Sequence, residues 1–245
     1  MSGNRVRVLV VDDSALMRKL IPQILARDSD IEVVGTAMDG QFGLKKLEDL
    51  RPDVVTLDLE MPRMDGMETL RQITRKSAVP VIIVSALSTE GATATFKALA
   101  LGAFDFVAKP RDAASAHMDE IALDLISKIK VAAKSKMRNT TAPIVLDRPR
   151  PNKPALRPRR EATKVVAIGI STGGPNALQY VLSQLPGDFP GTIVVVQHMP
   201  EGFTEMFSRR LDESCSIDVK EAQSGDLLIA GRALICPGES FWKRC

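Results

Sequence analysis

Lys164-Val-Val-Ala-Ile-Gly-Ile-Ser-Thr-Gly-Gly-Pro175 is the stretch around which the second half of the chain is organised. Val165, Val166, Ala167, Ile168 and Ile170 make a short, largely β-branched apolar run of the kind that fills a buried strand. The run stops at Ser171-Thr-Gly-Gly-Pro175, and a helical pattern follows in Ala177, Leu178, Val181, Leu182 and Leu185. A serine at such a strand-to-helix turn is held out of the sheet, beside the N–H groups that open a helix. Those groups suit an oxyanion or a phosphate equally well. Gly169-Ile-Ser-Thr-Gly173 also fits the G-x-S-x-G nucleophile pattern. Taken alone, the turn reads just as well as a glycine turn with a capping serine.

Gly191-Thr-Ile-Val-Val-Val-Gln-His198 reads as a second buried strand, ending in one of the chain's two histidines. Neighbouring parallel strands deliver their end residues to one crevice, which places Ser171 and His198 as nucleophile and general base. A structural role for a strand-end histidine stays open on position alone. His117 lies at a polar helix start with nothing reactive around it. A dinucleotide site fits poorly, because Ser171 stands where the second glycine belongs and the next strand ends in Gln197-His198 rather than an acid. An α/β-hydrolase would place its acid between the serine and a late histidine, an order this spacing breaks.

The 245 residues allow two small domains or one large one. Aromatics are only 4%, so the cores must be aliphatic. No apolar run reaches the length of a membrane helix, and Arg5 and Arg7 interrupt any signal-like start. Cys215, Cys236 and Cys245 show no metal-type spacing and fit a reducing, cytoplasmic setting. The net charge of +3 is misleading as an average, because residues 134–164 carry a local +8 and the remainder −5. That basic segment holds five prolines within 134–163 and reads as a solvated, semi-rigid tether rather than a nucleic-acid surface.

The first half alternates strands and helices. Apolar runs at residues 5–11, 31–34, 53–58, 80–85 and 104–107 are separated by helical patterns, the first opened by Ser14 as N-cap. The alternation predicts a five-stranded, doubly wound parallel sheet, with its site at the carboxyl ends of the strands. The polar residues fall there: Asp12 and Asp13 after the first strand, Asp58 at the third, Ser85 at the fourth and Lys109 after the fifth. Three carboxylates in one crevice repel one another and favour a hard divalent cation, Mg²⁺. A metal-held carboxylate beside a lysine and a hydroxyl is able to accept a phosphoryl group.

Val-Val-Asp-Asp-Ser, Leu-Asp-Leu-Glu-Met-Pro-Arg-Met-Asp-Gly, Val-Ser-Ala and Ala-Lys-Pro resemble the signatures of a response-regulator receiver domain, in order over residues 4–125. The resemblance implies a flavodoxin-like fold in which Asp58 is phosphorylated. It implies that Asp12, Asp13, Asp58 and the Glu60 backbone hold Mg²⁺, that Ser85 and Lys109 contact the phosphoryl group, and that Phe104 takes the aromatic switch position.

Ala-Ile-Gly-Ile-Ser-Thr-Gly-Gly-Pro, Val-Val-Gln-His-Met-Pro-Glu-Gly-Phe-Thr, Arg-Leu-Asp and the Gly-Asp and Pro-Gly turns near 225 and 237 resemble the chemotaxis protein-glutamate methylesterase (CheB) family. The resemblance implies domains at 1–133 (receiver), 134–163 (linker) and 164–245 (part of a parallel α/β methylesterase domain). It implies hydrolysis of glutamate γ-methyl esters on chemoreceptors and deamidation of glutamines, with Ser171 as nucleophile, His198 as base and Thr172 shaping the site. Phosphorylation at Asp58 by a chemotaxis-type histidine kinase would relieve the receiver's occlusion of that site. The implied protein is a cytoplasmic monomer without nucleic acid or membrane insertion. The family's triad Asp has no counterpart here, since Asp212, Glu213, Asp218, Glu221, Asp226 and Glu239 match no triad position. The expectation is therefore a truncated catalytic domain of weak or absent activity, with a strand edge and an apolar face exposed. A non-enzymatic receiver acting as a phosphate sink is the alternative.

Overall fold

In a computed structural model of the chain, β1 (Val6–Val11), β2 (Ile31–Ala37), β3 (Val54–Asp58), β4 (Val81–Ser85) and β5 (Asp105–Ala108) form one sheet in the order β2-β1-β3-β4-β5. Every pairing in it is parallel. Residues 5–86, 88–109, 118–136, 161–200 and 202–238 are described. Two units divide the chain, Met1–Val145 and Leu146–Cys245.

The sheet of the first unit is sandwiched because its strands are apolar on both faces, and all of β3 and β4 is buried. Val8, Val10, Val54, Ile82, Val84 and Val107 share one face with Leu20, Ile21 and Ile24 of α1 (Ala15–Leu25) and Leu125 and Ile129 of α5 (Met118–Lys136). Leu9, Val55, Leu57 and Ile83 alternate with them and are equally buried. The intervening helices are α2 (Gly40–Leu50), α3 (Gly66–Lys76) and α4 (Thr89–Ala100). Each of α1 to α4 opens on a side-chain cap: Ser14, Asp39, Asp65 and Ser88 accept from Met17, Phe42, Glu68 and Gly91 N–H groups. Strand β2 runs three residues beyond the apolar stretch seen in the sequence, because Gly35, Thr36 and Ala37 keep pairing with β1 after a register shift at Val8/Leu9. The doubly wound expectation holds.

The second unit carries β6 (Val165–Ile170), β7 (Thr192–Gln197), β8 (Asp218–Glu221) and β9 (Arg232–Ile235) in a parallel sheet of order β6-β7-β9-β8. Helices α6 (Gly174–Ser183) and α7 (Phe203–Ser214) connect them. Leu178 and Leu182 of α6 and Phe203, Phe207 and Leu211 of α7 are buried, as are Ile193, Val195, Ala233 and Ile235 of the strands.

One expectation fails here. Strand β6 is not buried: Val165 is 54% and Val166 42% exposed. Among the described residues it lies at the sheet edge with β7 as its partner, so its composition describes what it could bury rather than what covers it. Tyr180, Val181 and Val196 are exposed as well. Helix α5 continues through Lys136, and residues 137–160, most of the tether, lie outside the described residues, as do His117, Pro110, Glu239 and the chain end.

Candidate functional site

The carboxyl ends of β1, β3, β4 and β5 bring together the residues picked out from the first half. Lys109 Nζ lies 2.6 Å from Asp58 Oδ2 and 3.2 Å from Asp12 Oδ2. Asp58 Oδ1 accepts from the Glu60 N–H at 3.2 Å, and Asp12 Oδ1 from the Ser14 N–H at 2.9 Å. Both carboxylates are buried, whereas Asp13 is exposed at the rim. Ser85 is buried, with its hydroxyl donating to the Gly91 carbonyl of α4 at 3.2 Å and its own carbonyl accepting from Lys109 N–H at 2.7 Å. Phe104 is half-buried against the α1/α5 core.

Burial pushes the Asp12 carboxyl up; the Lys109 charge opposes this and the Asp58 charge adds to it. Burial likewise pushes Asp58 up against the hydrogen bond and charge of Lys109. Burial alone would lower Lys109, but its hydrogen bond to Asp58 and the charges of Asp58 and Asp12 outweigh that and raise it. One ammonium thus serves a crevice of three acids.

In the second unit, register pairs Ile170 with Gln197, so Ser171 and His198 follow paired residues on adjacent parallel strands. The His198 N–H donates to Ile170 O at 3.2 Å, one step beyond the ladder. Both residues are exposed, and Thr172 is half-buried. Ser171 does not cap α6: the N-cap is Gly173, at φ 73° in the left-handed region, with no side-chain cap. The Gly174 N–H closes the turn on Ser171 O at 2.8 Å. The capping-serine reading of the turn is thereby set aside, and the serine stands at the positive end of a helix. Four acids of this unit have partners of their own. Glu221 accepts from Thr204 Oγ1 at 2.5 Å, Asp212 from the Val219 N–H at 2.7 Å, and Asp226 from Lys220 Nζ at 2.7 Å. Asp218 lies 3.7 Å from Arg232.

Comparison with known proteins gives two family matches, "response regulator receiver domain" over residues 8–119 and "CheB methylesterase" over residues 166–243. The protein-glutamate methylesterase/protein-glutamine glutaminase 2 of Koribacter versatilis is 64% identical over 238 residues, covering 95% of this chain and 66% of that one. The corresponding protein of Symbiobacterium thermophilum is 49% identical over 243 residues, covering 95% and 67%. The chain belongs to the CheB family. It spans about two thirds of the length of these relatives. The response-regulator domain of Thermotoga maritima CheB, a solved structure, is 44% identical over 53% of this chain and 97% of that one, with a TM-score of 0.49.

In this CheB-family chain the acidic crevice fits a hard cation. One oxygen each of Asp12, Asp13 and Asp58 falls within 4.8 Å of the others. Asp12 Oδ2 is buried and, despite its nearness to Lys109, receives no directed hydrogen bond. A divalent ion would relieve the repulsion and give that oxygen a directed ligand bond. Asp12→Asn in metal-free buffer is accordingly expected to raise the melting temperature by a few degrees, roughly what 1 kcal/mol does to a domain of this size. Mg²⁺ should raise the melting temperature of the unaltered protein and leave the variant nearly unmoved. Thermal scans with and without Mg²⁺ check both. The pH sign follows from the raised carboxyls: the folded state holds their protons at higher pH than the unfolded chain does. Without metal their contribution to stability therefore grows as pH falls through the raised folded-state values and levels off near the ordinary carboxylate range. Lys109, also raised, contributes stability below its ordinary value that is lost as pH rises through the raised one.

Two features of the family member escaped the sequence reading. Arg63, in the loop after β3, has φ 67° and pairs with buried Asp39, the α2 cap, at 2.5 Å. In the second unit Thr204, fully buried, donates to Glu221 and accepts from the Gly238 N–H at 3.0 Å, tying together the ends of β8 and β9 and the start of α7. The Gly-Phe-Thr and Pro-Gly turns were visible, but nothing local told which partners they meet.

Proposed function

We propose that this chain hydrolyses γ-methyl esters of glutamate side chains on chemoreceptors, and amides of glutamine side chains there, under control of phosphorylation at Asp58. The carrying observation is the Ile170–Gln197 pairing that sets Ser171 beside His198, in a chain whose relatives are named for this activity. Ser171 Oγ attacks the ester carbonyl carbon while His198 takes the hydroxyl proton. The tetrahedral oxyanion is favoured by the positive end of α6. Its collapse breaks the C–O bond, and methanol leaves with the proton from His198. Water, deprotonated by His198, then cleaves the acyl-enzyme to glutamate and restores Ser171. For a glutamine the leaving group is ammonia. Thr172 shapes the turn beside the nucleophile.

In the receiver, an Asp58 carboxylate oxygen attacks the phosphorus of a phosphohistidine on a chemotaxis-type kinase, and the P–N bond breaks. Lys109 and Ser85 then pair with the phosphoryl oxygens. Asp12, Asp13, Asp58 and the Glu60 carbonyl would hold Mg²⁺, which neutralises the charge that builds up during transfer. We place the protein in the cytoplasm, as a monomer; no helix among the described residues is long and apolar enough to cross a membrane.

Methanol release from methylated receptor membranes tests the whole reading. Release that requires Ser171 and rises when a phosphodonor and Mg²⁺ are added is the expected result. No release from a chain whose Asp58 still takes up phosphate would leave a receiver acting as a phosphate sink.

A further inference from the structure

We propose that Gln197 is a positioning residue, a clamp that holds Ser171 and His198 together through their backbone carbonyls. The proposal rests on the reading of those two residues as nucleophile and base.

Gln197 is the last residue of β7 and is 5% exposed. Its Nε2 donates to Ser171 O at 3.2 Å and to His198 O at 3.1 Å. A primary amide has two such hydrogens, and both are used, one on each residue of the pair. Turning the amide over would set its oxygen against two carbonyl oxygens, so the network fixes the orientation. The other end of the amide is left unsatisfied: Oε1 is buried and has no hydrogen-bond partner. It lies over Gly174, where a Cβ would come 2.0 Å from it. Gly174 is the first residue of α6, so the orphaned oxygen rests at the positive end of that helix. A methionine would fill this space with no orphaned oxygen. What only the amide supplies is the pair of donors.

The need for a clamp follows from the sheet. Among the described residues strand β6 is an exposed edge, and the β6–β7 ladder ends at Ile170 and Gln197, one residue short of the chemistry. Beyond it, the His198 N–H to Ile170 O and the Gly174 N–H to Ser171 O hold the turn. Gln197 adds the cross-link that ties the carbonyl of one proposed reacting residue to that of the other.

Site-resolved amide hydrogen exchange on the full chain tests this, with a fluorophosphonate probe of serine reactivity alongside. Gln197→Met keeps the length and removes both donors. It should speed exchange at Gly174 and His198 about tenfold, the equivalent of roughly one lost hydrogen bond, while Val194 and Val195 stay within about twofold. Labelling of Ser171 should slow by a similar factor. Gly174→Ala displaces the amide without removing it and should reproduce the pattern, which guards against a Gln197 variant that folds badly. In Gln197→Glu, protection corrected for intrinsic rates should return partly in acid, because a neutral carboxyl donates one hydrogen bond and a carboxylate none. Unchanged exchange at Gly174 and His198, or a uniform rise along β7, would overturn the clamp. If wild type labels no faster than Ser171→Ala while Gln197→Met still loosens those two amides, the clamp stands and the nucleophile reading falls.

Discussion

Ser171→Ala is expected to reduce methanol release at least ~10²-fold, to the level that binding and helix dipole alone sustain. The side chain is exposed at a turn and caps nothing, so the variant should melt within about 0.5 kcal/mol of wild type. A loss of activity would then be chemical rather than structural. His198→Ala should cost a comparable factor, and the double variant little more than the worse single one, since nucleophile and base act as a unit. Steady-state methanol assays on the three variants check this. Additive losses would mean that the two residues work separately and that the shared strand ends have misled us.

Asp58→Asn is expected to abolish uptake of label from a small phosphodonor in the presence of Mg²⁺, by ~10²-fold or more, because an amide oxygen cannot replace the carboxylate nucleophile. The geometry predicts that the variant still folds. Burial disfavours the Asp58 charge, so a neutral side chain suits the site, and Lys109 keeps Asp12 as a counter-ion at 3.2 Å. Circular dichroism melts would separate the two effects. Labelling that survives in a folded Asp58→Asn would move the acceptor elsewhere in the crevice, Asp12 and Asp13 being the remaining carboxylates.

Much of this was legible in the sequence because parallel α/β sheets convert order along the chain into place. Once residues 5–11, 53–58, 80–85 and 104–107 read as strands, Asp12, Asp58, Ser85 and Lys109 had to converge at one end. The same logic set Ser171 beside His198. The illegible part was tertiary. Val165 and Val166 have the composition of core residues and sit on an edge, because burial depends on neighbours that the run does not contain. The role of Gln197 was hidden because an amide reveals its partners only once two strand ends are adjacent. Arg63 gave no warning of its left-handed backbone, which glycine or asparagine would have announced.

The edge position of β6 also bears on how turnover should respond to temperature. Among the described residues β6 is paired along one side only, by β7. Edge elements open locally at lower free energy than the global transition. On the proposed mechanism, only the fraction of molecules with β6 seated has Ser171 opposite His198, and methanol release is scaled by that fraction. Warming accelerates the chemistry but depletes the seated population. The rate should therefore pass through a maximum below the temperature at which the receiver sheet, closed in by helices on both faces, begins to melt.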